Sequence, residues 1–242
     1  MSREITFDWF SLDRNALFDI LYSLESKVVN HPLTVNQFHR KLVYQINKFF
    51  PIKFKKIKNS KVGKNWVWVG GSYYSYKDQY QQRAIEIEFC YNNFKEIKIS
   101  SRNFSRLCIA FADTVLHEII HMRQHRRRDW KTTPDFPSTA NRQKQREEQE
   151  YLGCRDEIDA YAFNIACELH DKFNGNYKKV VKYLNENQKG TNRRHNCYRM
   201  YLIAFGHDHN HPVIKQVKKK IVSYWPQTKT WKPYRNSEWI NH

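Results

Sequence analysis

The sequence predicts an α+β fold in which a small, mostly antiparallel sheet packs on a long helix carrying His-Glu-x-x-His and on a second, ligand-bearing helix, with additional helices at both ends. Three observations lead there. Apolar residues recur at helical spacing up to residue 50 and again from residue 103, strand-like alternation replaces that period between Ile52 and Ser100, and His117-Glu118-Ile119-Ile120-His121 lies within the second helical stretch.

Asp13 to Val29 reads as the first helix, with Leu17, Ile20, Leu21, Leu24 and Val28 on one side and Asn30-His31-Pro32 breaking it. Thr34-Val35-Asn36-Gln37 has the form of a capping box, so a second helix is expected from Thr34 until Phe50-Pro51. Trp66-Val67-Trp68-Val69, Ala84 to Cys90 and Glu96 to Ile99 read as strands with one face buried, and Gly70-Gly71 and Asn92-Asn93 are expected as turns. Asn103 or Ser105 can cap a helix running through Leu107, Ala110, Phe111, Val115, Ile119 and Met122 and ending by Trp130, ahead of Pro134 and Pro137. Residues 131 to 146 are polar and basic, as in an exposed loop, and Glu147 to Phe173 returns to helical spacing. Further helices are expected over Tyr177 to Leu184, over Tyr198 to Phe205 with Gly206 as the stop, and after Pro212.

With 242 residues the chain can bury a substantial core, and its aromatic residues, 15% of the total, extend from Trp9 to Trp239. The expected organisation is an N-terminal helical segment (1–50), a catalytic core (51–175) and a basic C-terminal helical extension (176–242). No apolar run is long enough for a membrane span, and Met1-Ser2-Arg3-Glu4-Ile5 lacks the layout of a signal peptide. Five cysteines with no C-x-x-C argue against a disulfide framework or a zinc ribbon. The expectation is a soluble cytoplasmic protein.

The formal net charge of +18 is clustered. Residues 40–64 hold nine Lys or Arg and no acidic residue, and residues 172–220 hold twelve against Glu186 and Asp208. Such stretches suit nucleic acid or an acidic protein; the alternative is a lysine-rich solvated surface, and no helix-turn-helix, RNP or zinc-finger signature accompanies them.

Residues four apart on a helix share a face, so His117 and His121 can present two imidazoles to one zinc ion, with Glu118 beside them as the candidate general base. The alternative is a pair of ordinary helix histidines, but two histidines and a glutamate on a half-buried helix are hard to place without a ligand. A third protein ligand is needed. The tenth position after His117 is Arg127 rather than histidine, which excludes the metzincin arrangement. His125 continues the same face, yet one straight helix cannot wrap three residues around a tetrahedral ion. Glu147, Glu148, Glu150 and Glu157 all lie on or just before the following helix; Glu157 opens Glu157-Ile158-Asp159-Ala160-Tyr161-Ala162-Phe163, whose small and aromatic residues suit close helix packing, and it is the preferred candidate.

Leu116 to His121 followed by Glu157 to Phe163 resembles the gluzincin metallopeptidases, more narrowly the ImmA/IrrE-like pattern of HExxH then E-x-x-A-x-x-F-A, and is similar to metallopeptidases encoded in bacteriophage genomes. The resemblance covers roughly residues 103–170. It implies a zincin-like fold, zinc held by His117, His121 and Glu157, Glu118 as catalytic base, and a protein substrate. For a phage-borne gene the compartment would be the host cytoplasm. Asn164 and Tyr161 stand where the narrower pattern has alanine and asparagine.

Around this centre, Asp113 is placed one turn before His117, where it can accept a hydrogen bond from a ligand imidazole or serve as an ordinary helix carboxylate. His195, Tyr198, His207, His209 and His211 are candidate oxyanion donors, and the run from Gly206 to Pro212 reads as a polar turn, with a second metal site as the alternative. Competing readings are an SprT-like protease acting on proteins bound to DNA, and a non-catalytic nucleic-acid-binding or virion protein on a zincin scaffold.

Overall fold

The computed structural model describes residues 14–49, 52–80, 82–131, 138–186 and 197–228. Expectations resting on Trp9, Asp13, Phe50-Pro51, Pro134, Pro137, His195 and Trp239 lie outside the described residues. Chain contacts divide the molecule into two compact units, Met1–Trp130 and Lys131–His242.

The first unit is α+β. Its first helical stretch is two helices, α1 (Arg14–Tyr22) and α2 (Glu25–Val28), because the chain turns at Ser23, whose hydroxyl donates to the Ile20 carbonyl at 2.7 Å. Leu17, Leu21, Leu24 and Val28 are all buried, as their spacing requires. The short strand β1 (Leu33–Thr34) leads into α3 (Val35–Asn47), and the capping box at its start is complete: Thr34 Oγ1 accepts from Gln37 N, and Gln37 Oε1 accepts from Thr34 N.

A three-stranded sheet follows in the order β2 (Lys53–Lys58), β4 (Ile85–Tyr91), β3 (Val67–Tyr73). It is mixed rather than mostly antiparallel: β3 runs antiparallel to β4, but β2 runs parallel to it, with Lys53 opposite Glu86 and Lys58 opposite Tyr91. Gly70 and Gly71 form no turn. They lie within β3, opposite Glu88 and Ile87. The chain leaves β3 through a short helix, α4 (Ser75–Gln79), while Asn92-Asn93 do sit in the bend that precedes β5 (Glu96–Ile97), the antiparallel partner of β1.

The long helix α5 (Ser101–Arg127) closes this unit, packed on α1 and β3. Its cap is neither Asn103 nor Ser105 but Ser100, whose hydroxyl accepts from Asn103 N at 3.3 Å, because the extended backbone after β5 continues to Ser100. Leu107, Phe111, Val115, Ile119 and Met122 form its buried stripe.

The second unit is helical: α6 (Gln143–Gly153), α7 (Arg155–Phe173), α8 (Tyr177–Asn185), α9 (Cys197–Ala204) and α10 (Pro212–Thr228). Helix starts before Glu147, in what reads as loop, and the expected stretch to Phe173 is split at Cys154, where ψ reaches 133°. The central packing is α7 on α10, with Ile158, Ala162, Ile165 and Leu169 meeting a core that includes Val213, Val217 and Ile221. Phe163 meets Tyr224 edge to face at 5.4 Å. Asn174, in the left-handed region at φ 48°, ends α7. No described helix is long and apolar enough to cross a membrane.

Candidate metal centre

The apolar stripe of α5 buries His117 and Glu118 to 7% and 6% exposure and leaves His121 half-buried. His117 and His121 stand side by side, one turn apart, with ring centroids 4.7 Å apart in an edge-to-face arrangement and Nε2 atoms separated by 3.0 Å. Two nitrogens bound to one tetrahedral zinc at about 2.0–2.1 Å would be roughly 3.3 Å apart, so a few tenths of an ångström of opening converts this pair into two ligands. The second nitrogen of His121, Nδ1, lies 3.0 Å from Gln124 Oε1. With the proton on Nδ1, it donates to this carbonyl and Nε2 is left to accept a metal, the arrangement by which a neighbouring acceptor orients a ligand imidazole. Sequence reading missed Gln124, although three residues after His121 places it on the adjoining helix position.

Glu118 is positioned by a glycine. A Cβ on Gly71 would lie 2.8 Å from Glu118 Oε1, 3.0 Å from its Cγ and 2.5 Å from Thr114 Cγ2. Gly71 therefore lets the β3 backbone approach α5 beside the carboxylate.

The far end of α5 is held by Asp78 of α4. Arg126 Nε donates to Asp78 Oδ2 at 2.7 Å, its Nη2 donates to Oδ1, and the Tyr73 hydroxyl donates to Oδ2 at 3.0 Å. Burial and then the bond to Asp78 hold the Tyr73 hydroxyl well above the usual phenol range. His125 packs on the Tyr73 ring at 5.5 Å. Asp113 accepts from Arg14 Nε at 3.2 Å, so this carboxylate holds a cation that is itself only 2% exposed.

In the second unit, Glu157 is half-buried in the first turn of α7, where the helix dipole favours an anion. It lies beside a cluster of tyrosines: burial first, then Tyr161 and Glu157, push the Tyr151 hydroxyl far above its ordinary pKa, and the Tyr151 and Tyr161 oxygens are 3.4 Å apart. Two earlier glutamates are engaged on α6: Glu150 accepts from Arg146 at 2.8 Å and Glu147 from Gln143 at 2.7 Å. Each of His117, His121 and Glu157 offers one ligand atom of a kind that can hold a metal ion.

Several expected oxyanion donors serve the fold of the second unit instead. The buried Tyr198 hydroxyl donates to the Leu184 carbonyl at 2.6 Å. His211 Nδ1 accepts from Val213 N at 3.3 Å and so helps to start α10, while His209 Nδ1 lies 3.1 Å from Lys218 Nζ. Burial, and then Lys218, lower the His209 pKa. Gly206 and His207 have positive φ, 65° and 58°, which makes the connection a tight polar turn.

Compared with known proteins, the chain matches no family model, no curated protein and no solved structure.

Proposed function

We propose that this chain is a zinc metallopeptidase in which His117, His121 and Glu157 hold the metal and Glu118 is the general base. The observation that carries the reading is the pair of Nε2 atoms 3.0 Å apart on α5, with a buried glutamate at the intervening position. The donor set suits zinc, which takes imidazole nitrogen and carboxylate oxygen and keeps one position open in catalytic sites. When bound, zinc would lower the pKa of a water to about 7 and polarise the scissile carbonyl.

The chain's own residues supply the remainder. Glu118 takes the proton from the attacking water on a carboxylate oxygen and returns it to the leaving amine. Gln124 Oε1, 3.0 Å from His121 Nδ1, would accept the Nδ1 proton and so leave Nε2 for the metal. Gly71 keeps space for the Glu118 carboxylate beside β3. A protein or peptide is the substrate class this chemistry serves.

Purified protein incubated with an unfolded protein substrate such as casein tests the reading. Cleavage should stop after removal of metal with a chelator and return when zinc is added. Cleavage that persists in metal-free protein would remove zinc from the mechanism.

A further inference from the structure

The charge of the first unit has a specific focus. A cleft of about 600 Å³ opens between α3 and β2, lined by His39, Arg40, Val43, Tyr44 and Asn47 of the helix, its C-cap Lys48, and Phe54 of the strand. Its wall is largely apolar and carries two cations, Arg40 and Lys48. Tyr44 is 66% exposed, and Lys48 Nζ sits 4.3 Å from its ring centroid. Phe54 is held in place by stacking on Phe89, with centroids 5.9 Å apart and planes 5° from parallel.

The lysines of β2 divide by face. Lys53 and Lys55 point away from the Phe54 side and pair with β4: Lys53 Nζ lies 3.1 Å from Glu86 Oε2, and Lys55 pairs with both Glu86 and Glu88. Those cations are internally neutralised. Arg40 and Lys48, on the cleft, have no carboxylate partner among the described residues.

We propose that this cleft binds single-stranded nucleic acid, with a base stacked on Tyr44, Asn47 facing the base edge, and Arg40 and Lys48 on the flanking phosphates. Stacking on an exposed ring requires a base whose face is free, and a duplex conceals its base faces within the stack. A run of acidic side chains would satisfy the two cations but offers no flat ring to Tyr44, whereas every nucleotide brings a phosphate and a flat base together. The proposal is independent of the proposed zinc site, since every residue it uses lies on α3, at its C-cap or on β2.

The test is fluorescence anisotropy of the full chain at about 50 mM salt, with a labelled single strand of about 12 nucleotides, a duplex of the same length and polyglutamate of matched charge. The single strand should bind most tightly. Tyr44→Ala should weaken it at least about fivefold and Tyr44→Phe should restore it, as stacking on an aromatic ring predicts. Lys48→Gln should flatten the salt dependence by about 0.7 in log–log slope. Glu118→Gln should bind like the parent, so a failure of the peptidase reading leaves this result standing. Equal affinity for duplex or polyglutamate, or a single-strand affinity indifferent to Tyr44→Ala, overturns the proposal.

Discussion

Gly71 on β3 stands so close to α5 that a Cβ at this position would lie 2.8 Å from Glu118 Oε1 and 2.5 Å from Thr114 Cγ2. Both contacts must be relieved: the Glu118 carboxylate can swing aside, while the approach to Thr114 needs a rotamer change there or a small retreat of β3 from α5. Gly71→Ala is therefore expected to cost about 1–3 kcal/mol of stability through overpacking and to depress hydrolysis while zinc content stays near that of the parent. Gly70→Ala is the control, because its nearest neighbour would be Glu88 Oε2 at an ordinary 3.8 Å. Equal effects of the two substitutions on turnover would show that the close approach has no part in placing the base.

Glu118→Gln tests the base directly. The amide keeps the shape of the side chain but cannot take a proton from water, so metal content and thermal stability should be retained and turnover should fall by roughly 10²–10⁴-fold. Activity within a few-fold of the parent on the same substrate would eliminate Glu118 from the mechanism.

The third ligand is decided by a pair of substitutions read by metal analysis. Glu157→Ala should lower zinc occupancy and abolish activity, whereas His125→Ala should change neither appreciably, because the His125 ring is committed to Tyr73. If occupancy follows His125, or follows Glu150 in a parallel variant, the gluzincin assignment falls.

His39 gives a pH signature in the first unit. Burial, and secondarily Lys56, lower its pKa from 6.5 to about 4, and its Nδ1 lies 3.1 Å from the Tyr91 hydroxyl. The folded pKa lies below the unfolded one, so the fold favours the neutral ring. That contribution is complete above pH 6.5 and is lost as pH falls from 6.5 toward 4. It should amount to on the order of 2 kcal/mol after allowance for the ring's partial exposure. Denaturant titrations at neutral pH and near pH 4 should show this acid loss in the parent and a flatter profile in His39→Gln; identical profiles would contradict it.

What could be read from the chain was what local spacing encodes. The α5 stripe and the Thr34–Gln37 capping box follow from period and from side-chain reach within one turn, and both are present. The parallel pairing of β2 with β4 was not legible: it joins strands that are not consecutive, and Lys-Phe-Lys-Lys-Ile-Lys carries too many charges to announce a strand. Gly70-Gly71 misled because a glycine pair ordinarily marks a turn, whereas here the neighbouring helix leaves no room for a side chain at Gly71. At the candidate site, His117, Glu118 and His121 were evident from a helical spacing of four. Gln124 was within reach of the same local reasoning, three residues after His121 on α5, whereas Gly71 beside Glu118 depends on tertiary placement, which no local pattern records.

The lysines of β2 also govern how crowded a solution of this protein can become. β2 is an outer strand of its sheet, with β4 as its one neighbour there among the described residues. An outer strand is a template on which another molecule can add its own strand, and from there fibrils can grow. Lys53 and Lys55 are matched by Glu86 and Glu88 of β4, but Lys56 and Lys58 have no carboxylate partner among the described residues, so an approaching copy would set these ammonium groups against its own. Replacing Lys56 and Lys58 with valine would remove that repulsion and raise strand propensity, and is expected to promote association of one copy with another.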